Sequence, residues 1–135
     1  MAEHRPRGLL DTSVLIDLDA IDPDLLALES TISALSMAEL AAGPHASLDT
    51  VERARRQDRL QRAEVVFDPI PFDADAARAH GLVYAAVVAG GRKARGPRAV
   101  DLLIAATAVA HGMALYTRDA DDVRFLEGLV EVVEV

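Results

Sequence analysis

Gly8-Leu9-Leu10-Asp11-Thr12-Ser13-Val14-Leu15-Ile16-Asp17 decides the fold of this chain. Leu9 and Leu10 read as a short buried strand. Asp11 follows at once, and Thr12 and Ser13 offer hydroxyls at the start of a helix that resumes the apolar pattern at Val14, Leu15 and Ile16. A carboxylate between two apolar runs is costly to bury alone. At the carboxyl end of a strand it stands where open α/β sheets bind ligands. Taken singly, Asp11 is better read as the cap of the next helix, and the case for chemistry depends on what else converges there.

Further strands and helices alternate with this first pair. Thr31–Leu35 is expected to be a second strand, with a helix opening at Ser36-Met37-Ala38-Glu39 and stopping at Gly43-Pro44. Residues 47–64 predict a charged helix with few apolar positions, able to project as an arm. Val65–Phe67 with Ile70 reads as a third strand, interrupted by Asp68-Pro69. Asp73 caps a long helix whose stripe of Ala79, Leu82, Val83, Ala86 and Val87 faces the core. Gly90-Gly91 ends it, and a basic loop follows at 92–98. Asp101 begins a helix that is apolar nearly all round, closed by His111-Gly112. Ala114–Thr117 is a fourth strand, and Leu129–Val135 a terminal one. This alternation implies a mainly parallel sheet of four to five strands between helical layers.

Composition narrows the function. The 135 residues suit one domain with one core. Without cysteine there are no disulfides and no thiolate metal sites. Three Phe, two Tyr and no Trp make an aromatic platform for stacked bases improbable. No signal-peptide core or membrane-length apolar run is present, which leads us to expect a cytoplasmic protein. The net charge of −8, from 14 basic and 22 acidic residues, weighs against a broad nucleic-acid surface. The basic residues are clustered, however: Arg53, Arg55, Arg56, Arg59 and Arg62 form one group, and Arg92, Lys93, Arg95 and Arg98 another. All but one of the 14 are Arg, whose planar fork grips phosphate.

Four acids hold equivalent places in the alternating units. Asp11 ends the first strand, Glu39 lies in the first turn after the second, Asp101 opens the central helix, and Asp119 follows the fourth strand. A parallel sheet sends all of them to one edge. Ordinary roles compete for each: a capping box for Ser36 and Glu39, the helix dipole for Asp101, a turn for Asp119. If they meet, two carboxylates about 5 Å apart repel by roughly 3 kcal/mol at an effective dielectric of about 20. Either some are protonated or a divalent cation is bound. All-oxygen ligands point to Mg²⁺ or Mn²⁺ over Zn²⁺. The histidines at 4, 45, 80 and 111 show no metal-site spacing. A hard cation among carboxylates suits phosphodiester hydrolysis by an activated water, for which no Ser, Cys or Lys nucleophile competes.

These motifs resemble a known family. The opening Leu-Leu-Asp-Thr-Ser-Val-Leu-Ile-Asp, the Ser-x-x-Glu-Leu at 36–40, the block Asp101-Leu-Leu-Ile-Ala-Ala-Thr-Ala and the Tyr-Thr-Arg-Asp ending at 119 resemble a PIN-domain ribonuclease toxin of the VapC type. The resemblance runs from residue 9 to about residue 125. It implies a single PIN domain over residues 1–135, an α/β/α sandwich, and a Mg²⁺- or Mn²⁺-dependent endoribonuclease neutralised by a VapB-type antitoxin. It also implies a homodimer, antitoxin segments in a groove leading to the acids, RNA such as tRNA as substrate, and DNA contact only through the antitoxin. Its acidic site falls on Asp11, Glu39, Asp101 and Asp119, with Thr12, Ser13 and Thr117 as polar supports and Asp122 at the rim. Relatives often carry Asn at the position of Asp119 and an Asp-Phe pair downstream, here Asp122-Val123, so either Asp119 or Asp122 is the fourth acid. Arg92, Lys93, Arg95 and Arg98 are expected to hold either RNA or the antitoxin. The competing readings are a non-catalytic interaction module with capping acids, and a phosphatase or phosphorelay receiver. The last two are disfavoured by Ser13 in place of a second Asp and by the lone Lys93 in a loop.

Overall fold

A computed structural model describes residues 6–92 and 96–135. Four strands form one wholly parallel sheet: β1 (Arg7–Leu10), β2 (Glu29–Ile32), β3 (Ala114–Thr117) and β4 (Val132–Glu134), in the order β2-β1-β3-β4. Side chains alternate across each strand. Leu9 and Leu115 therefore enter one core with Val83, Val87, Leu102 and Leu126. Leu10 and Tyr116 enter a second with Val14, Ile32, Leu40 and Ala63. The helices α4 (Ala74–Ala89) and α5 (Ala99–His111) pack along one another on the first face. On the second lie α1 (Thr12–Ile16), α2 (Ala34–Ala42) and α3 (Thr50–Val66). This is the expected α/β/α sandwich with four strands.

β1 is central and has the tightest constraints. A Cβ on Gly8 would lie 2.5 Å from Tyr116 Cε1 and 2.8 Å from Ala27 Cβ, so only glycine lets the Tyr116 ring cross the strand there. The apolar α5 is buried from Leu102 through Ala108, apart from the partly buried Leu103, and ends on Gly112 at φ 62°, in the left-handed region where glycine costs nothing. Among the described residues no helix is long and apolar enough to cross a membrane.

Three expectations are corrected. The third strand at 65–70 does not exist: Val65 and Val66 finish α3, and only Ile70 pairs, in an isolated parallel bridge with Ser33. The burial of Ala63 carries the helix on past the point where β-branched residues suggested a strand, and Phe67 ends it. The second strand is shifted to Glu29–Ile32, and α2 starts at Ala34. Ser33, not Ser36, caps α2, its hydroxyl accepting from the Leu35 amide at 3.0 Å. Glu39 then lies in the body of α2, and the Ser36–Glu39 capping box is absent. Finally, α3 is no projecting arm. It packs on α2 and on the turn Gly43–Ala46, where Arg56 donates to the Gly43 carbonyl at 2.9 Å.

Candidate active site

The carboxyl edge of the sheet collects the acids. Asp11 continues β1 by one residue, its amide donating to the Tyr116 carbonyl at 3.0 Å. The carboxylate is oriented through one oxygen. Asp11 Oδ1 accepts from Ser13 Oγ at 2.5 Å and from the Val14 amide at 3.3 Å, and Ser13 Oγ accepts in turn from the Arg118 amide at 3.1 Å. Asp11 therefore caps α1 and is braced from the end of β3, while Oδ2 lies outside these bonds.

Glu39 is set by a second relay. Thr12 Oγ1 lies 2.6 Å from Glu39 Oε1 and 3.0 Å from Ser36 Oγ. A carboxylate only accepts, so Thr12 gives its single proton to Glu39 and takes one from the fully buried Ser36. This explains the burial of Ser36, whose expected role was a cap.

Asp101 occupies the first turn of α5, third from its start at Ala99, and α5 has no side-chain cap. Its carboxyl is pushed up from 3.8 to about 6. Partial desolvation is the leading cause, although the residue as a whole is exposed, and the negative charges of Glu39 and Asp11 follow. Arg98 opposes the rise and Asp122 adds to it. Three acids from three elements, up to 90 positions apart (101 − 11), thus act on one another.

Asp119 belongs to a neighbouring group. Its carboxyl is raised chiefly by a hydrogen bond with Asp122, then by the like charges of Asp122, Asp121 and Glu134. Thr117 Oγ1 fixes the start of this turn by accepting from the Asp119 amide at 3.2 Å. Glu134, at the end of β4, accepts from the Ala120 amide at 3.1 Å. It was not among the expected site residues, although its place at the carboxyl end of a strand is the same signal that nominated Asp11. Asp122 is the acid of this turn that acts on Asp101, and Arg98 contacts it. Among the described residues no three carboxylate or imidazole side chains converge closely enough to enclose an ion. The acids share an open edge and do not form a closed cage.

Of the basic loop, Arg92 and Arg98 are described; Lys93 and Arg95 lie outside the described residues. Beside the acids runs a groove between α1 and α3. One part, about 410 Å³, has an apolar floor that includes Leu15, Leu18, Ala63 and Phe67, with Arg55 and with Arg62 paired to Asp19 and Asp58 at its rim. The other, about 340 Å³, reaches Thr12 and Glu39. Ile16, Leu40 and Arg59 line both.

Comparison with known proteins agrees with this architecture. Residues 8–126 match the PIN domain family. Ribonuclease VapC4 of Mycobacterium tuberculosis (strain ATCC 25618 / H37Rv) is 38% identical over 118 residues, 85% of this chain and 88% of that protein. The crystal structure of VapBC-5 from Mycobacterium tuberculosis, a member of the VapBC family of toxin–antitoxin systems, is similar with a TM-score of 0.85 and 32% identity, over 96% of this chain and 99% of that one. VapBC2 from Rickettsia felis, bound to a promoter DNA fragment, has a TM-score of 0.75 at 22% identity, covering 96% and 98%, and shares the fold. The chain therefore belongs to the PIN domain family, as a homologue of the VapC-type ribonucleases of toxin–antitoxin systems.

Proposed function

We propose that Asp11, Glu39 and Asp101 are the core of an RNA-cleaving site that works with Mg²⁺ or Mn²⁺, with Asp119 and Asp122 on its rim. The observation that carries this reading is the rise of Asp101 to about 6, caused first by partial desolvation and then by the negative charges of Glu39 and Asp11. The donor set fits a hard cation: only carboxylate oxygens, excess negative charge and an open edge, as suits an ion that keeps part of its water shell. A divalent ion held there supplies charge neutralisation and Lewis acidity for phosphodiester hydrolysis.

The chain's own residues orient the reaction. Ser13 holds Asp11, and Thr12 holds Glu39, so that both carboxylates are fixed before substrate arrives. One carboxylate of this set is suited to take the proton of the attacking water. The antitoxin, by analogy with the VapBC relatives, is a VapB-type partner. We put it in the α1–α3 groove, whose apolar floor, with Arg55 and Arg59 at the rim, suits an amphipathic segment carrying acidic side chains.

Asp11→Asn and Asp101→Asn should each abolish cleavage of a structured RNA such as tRNA while leaving the far-ultraviolet circular dichroism unchanged. Millimolar Mn²⁺ should raise the melting temperature of the parent protein and not that of the variants. Retained cleavage in the double variant would falsify the assignment.

A further inference from the structure

Both described ends of the basic loop are tied to one segment, the turns at 120–126. The Arg92 guanidinium lies 4.8 Å above the centroid of Phe125. Arg98 donates through NH1 to the main-chain oxygen of Asp122 at 2.9 Å, and its NH2 lies 3.8 Å from Asp122 Oδ1. The Arg98 side chain is 33% exposed. A guanidinium hydrogen-bonded to the main chain of a residue and within ion-pair distance of the same residue's carboxylate is already engaged, unlike a side chain swinging free for phosphate.

The placement of these contacts gives them a role. Arg98 ends the turn Gly96–Arg98 and directly precedes α5, so it sits three residues before Asp101. On the far side of the contact, Asp119, Asp121 and Asp122 crowd into one short turn, with Glu134 against it. Like charges on the two sides repel; the turn keeps its own backbone bonds, Asp122 to Asp119 and Val123 to Ala120, is tied to β4 through Glu134, and has Arg124 on Asp121, but none of these contacts reaches the start of α5. The cation between them offsets that repulsion.

We propose that Arg98 is a positioning residue that latches the acidic turn onto the start of α5, with Arg92 as an outer strap. This rests on reading the carboxyl edge as the RNA-cleaving site. The latch sets where Asp119 and Asp122 stand relative to Asp101; gripping the RNA backbone is left to other groups. A lysine cannot replace it, because one ammonium on a flexible stem does not hold the carbonyl bond with one nitrogen while keeping a second toward the carboxylate.

Arg98→Gln, Arg98→Lys and Arg92→Leu test the latch by amide hydrogen exchange and by RNA cleavage kinetics on the full chain. In both Arg98 variants, exchange at Asp122 and Val123 should speed up about fivefold, the scale of one lost charge-assisted bond. Their kcat should fall about tenfold, as for an outer-shell support, with KM and its salt dependence unchanged. Arg92→Leu should move both readouts the same way by less. Unchanged exchange in the Arg98 variants overturns the latch. So does restoration of activity by Lys, or a raised KM with a shallower salt dependence at constant kcat, which is the signature of an RNA grip. Failure of the underlying site shows separately, as cleavage surviving in Asp101→Asn, since the exchange measurement does not depend on activity.

Discussion

Replacing Asp101 by Asn should make the protein more stable at neutral pH while disabling it. A carboxyl raised from 3.8 to about 6 resists ionisation by roughly 3 kcal/mol, at 1.36 kcal/mol per pH unit. The residue is exposed, and solvent screening reduces the part felt by folding to about 1.5 kcal/mol. Against this stands the favourable interaction of an anion with the first turn of α5, about 0.5 kcal/mol. The net gain for Asn is then about 1 kcal/mol at pH 7, or about 3–4 °C in melting temperature for a domain of this size. The pH dependence carries the sign. Because the folded pKa lies above the unfolded one, the folded chain holds more protons between pH 4 and 6, and stability falls as pH rises through that window. Asn lacks this slope, so most of its advantage should be gone by pH 4, where Asp101 is protonated in the folded chain and already about half protonated in the unfolded one. Urea titrations at pH 4 and pH 7, in low salt and without divalent ions, measure the difference. Equal stability at pH 7, or a gain undiminished at pH 4, would refute an acid held up by desolvation and by the charges of Glu39 and Asp11.

Other substitutions probe separate parts of the structure. Thr12→Val keeps the shape but strands the buried Ser36 hydroxyl and releases Glu39; we expect a loss of about 1–3 kcal/mol in urea unfolding together with weaker RNA cleavage. Gly8→Ala should cost about 1–3 kcal/mol by driving a methyl into Tyr116 and Ala27, read as a lowered melting temperature; an unchanged melt would mean the ring moves freely. Arg59→Glu reverses a charge lining both halves of the α1–α3 groove, and antitoxin affinity by calorimetry should drop about tenfold or more, the weight of one close charge pair at an interface. Wild-type affinity in that variant would place the antitoxin elsewhere.

Much of this architecture was legible from local chemistry. Asp11 after Leu9-Leu10, Asp73 as a cap, the apolar α5 and its Gly112 stop are signals carried by a few adjacent residues, and the structure keeps all of them. What failed was decided at a distance. Val65 and Val66 favour a strand by shape, yet Ala63 docks into the second core and the helix continues through them. Ser33 and Ser36 are equally good caps in sequence; the bridge from Ser33 to Ile70 fixes the first and leaves the second to be buried against Thr12. The shared edge of Asp11, Glu39 and Asp101 followed from strand direction alone. That Asp119 pairs with Asp122, and that Arg98 reaches back to that turn, depends on how the chain closes after β3, which no spacing in the sequence encodes.

The strand order has a consequence for a growing chain. β1 is made first, but its partner β3 lies more than a hundred residues later, pairing Gly8 with Ala114. Until that late strand emerges from the ribosome, the backbone on one side of β1 has no neighbour, and Asp11 lacks the Tyr116 carbonyl and the Arg118 amide that brace it. Pairings of such long sequence separation form late and slowly. The edge that gathers the acids is therefore incomplete until β3 has been made, and any chemistry that needs a braced Asp11 must wait for it.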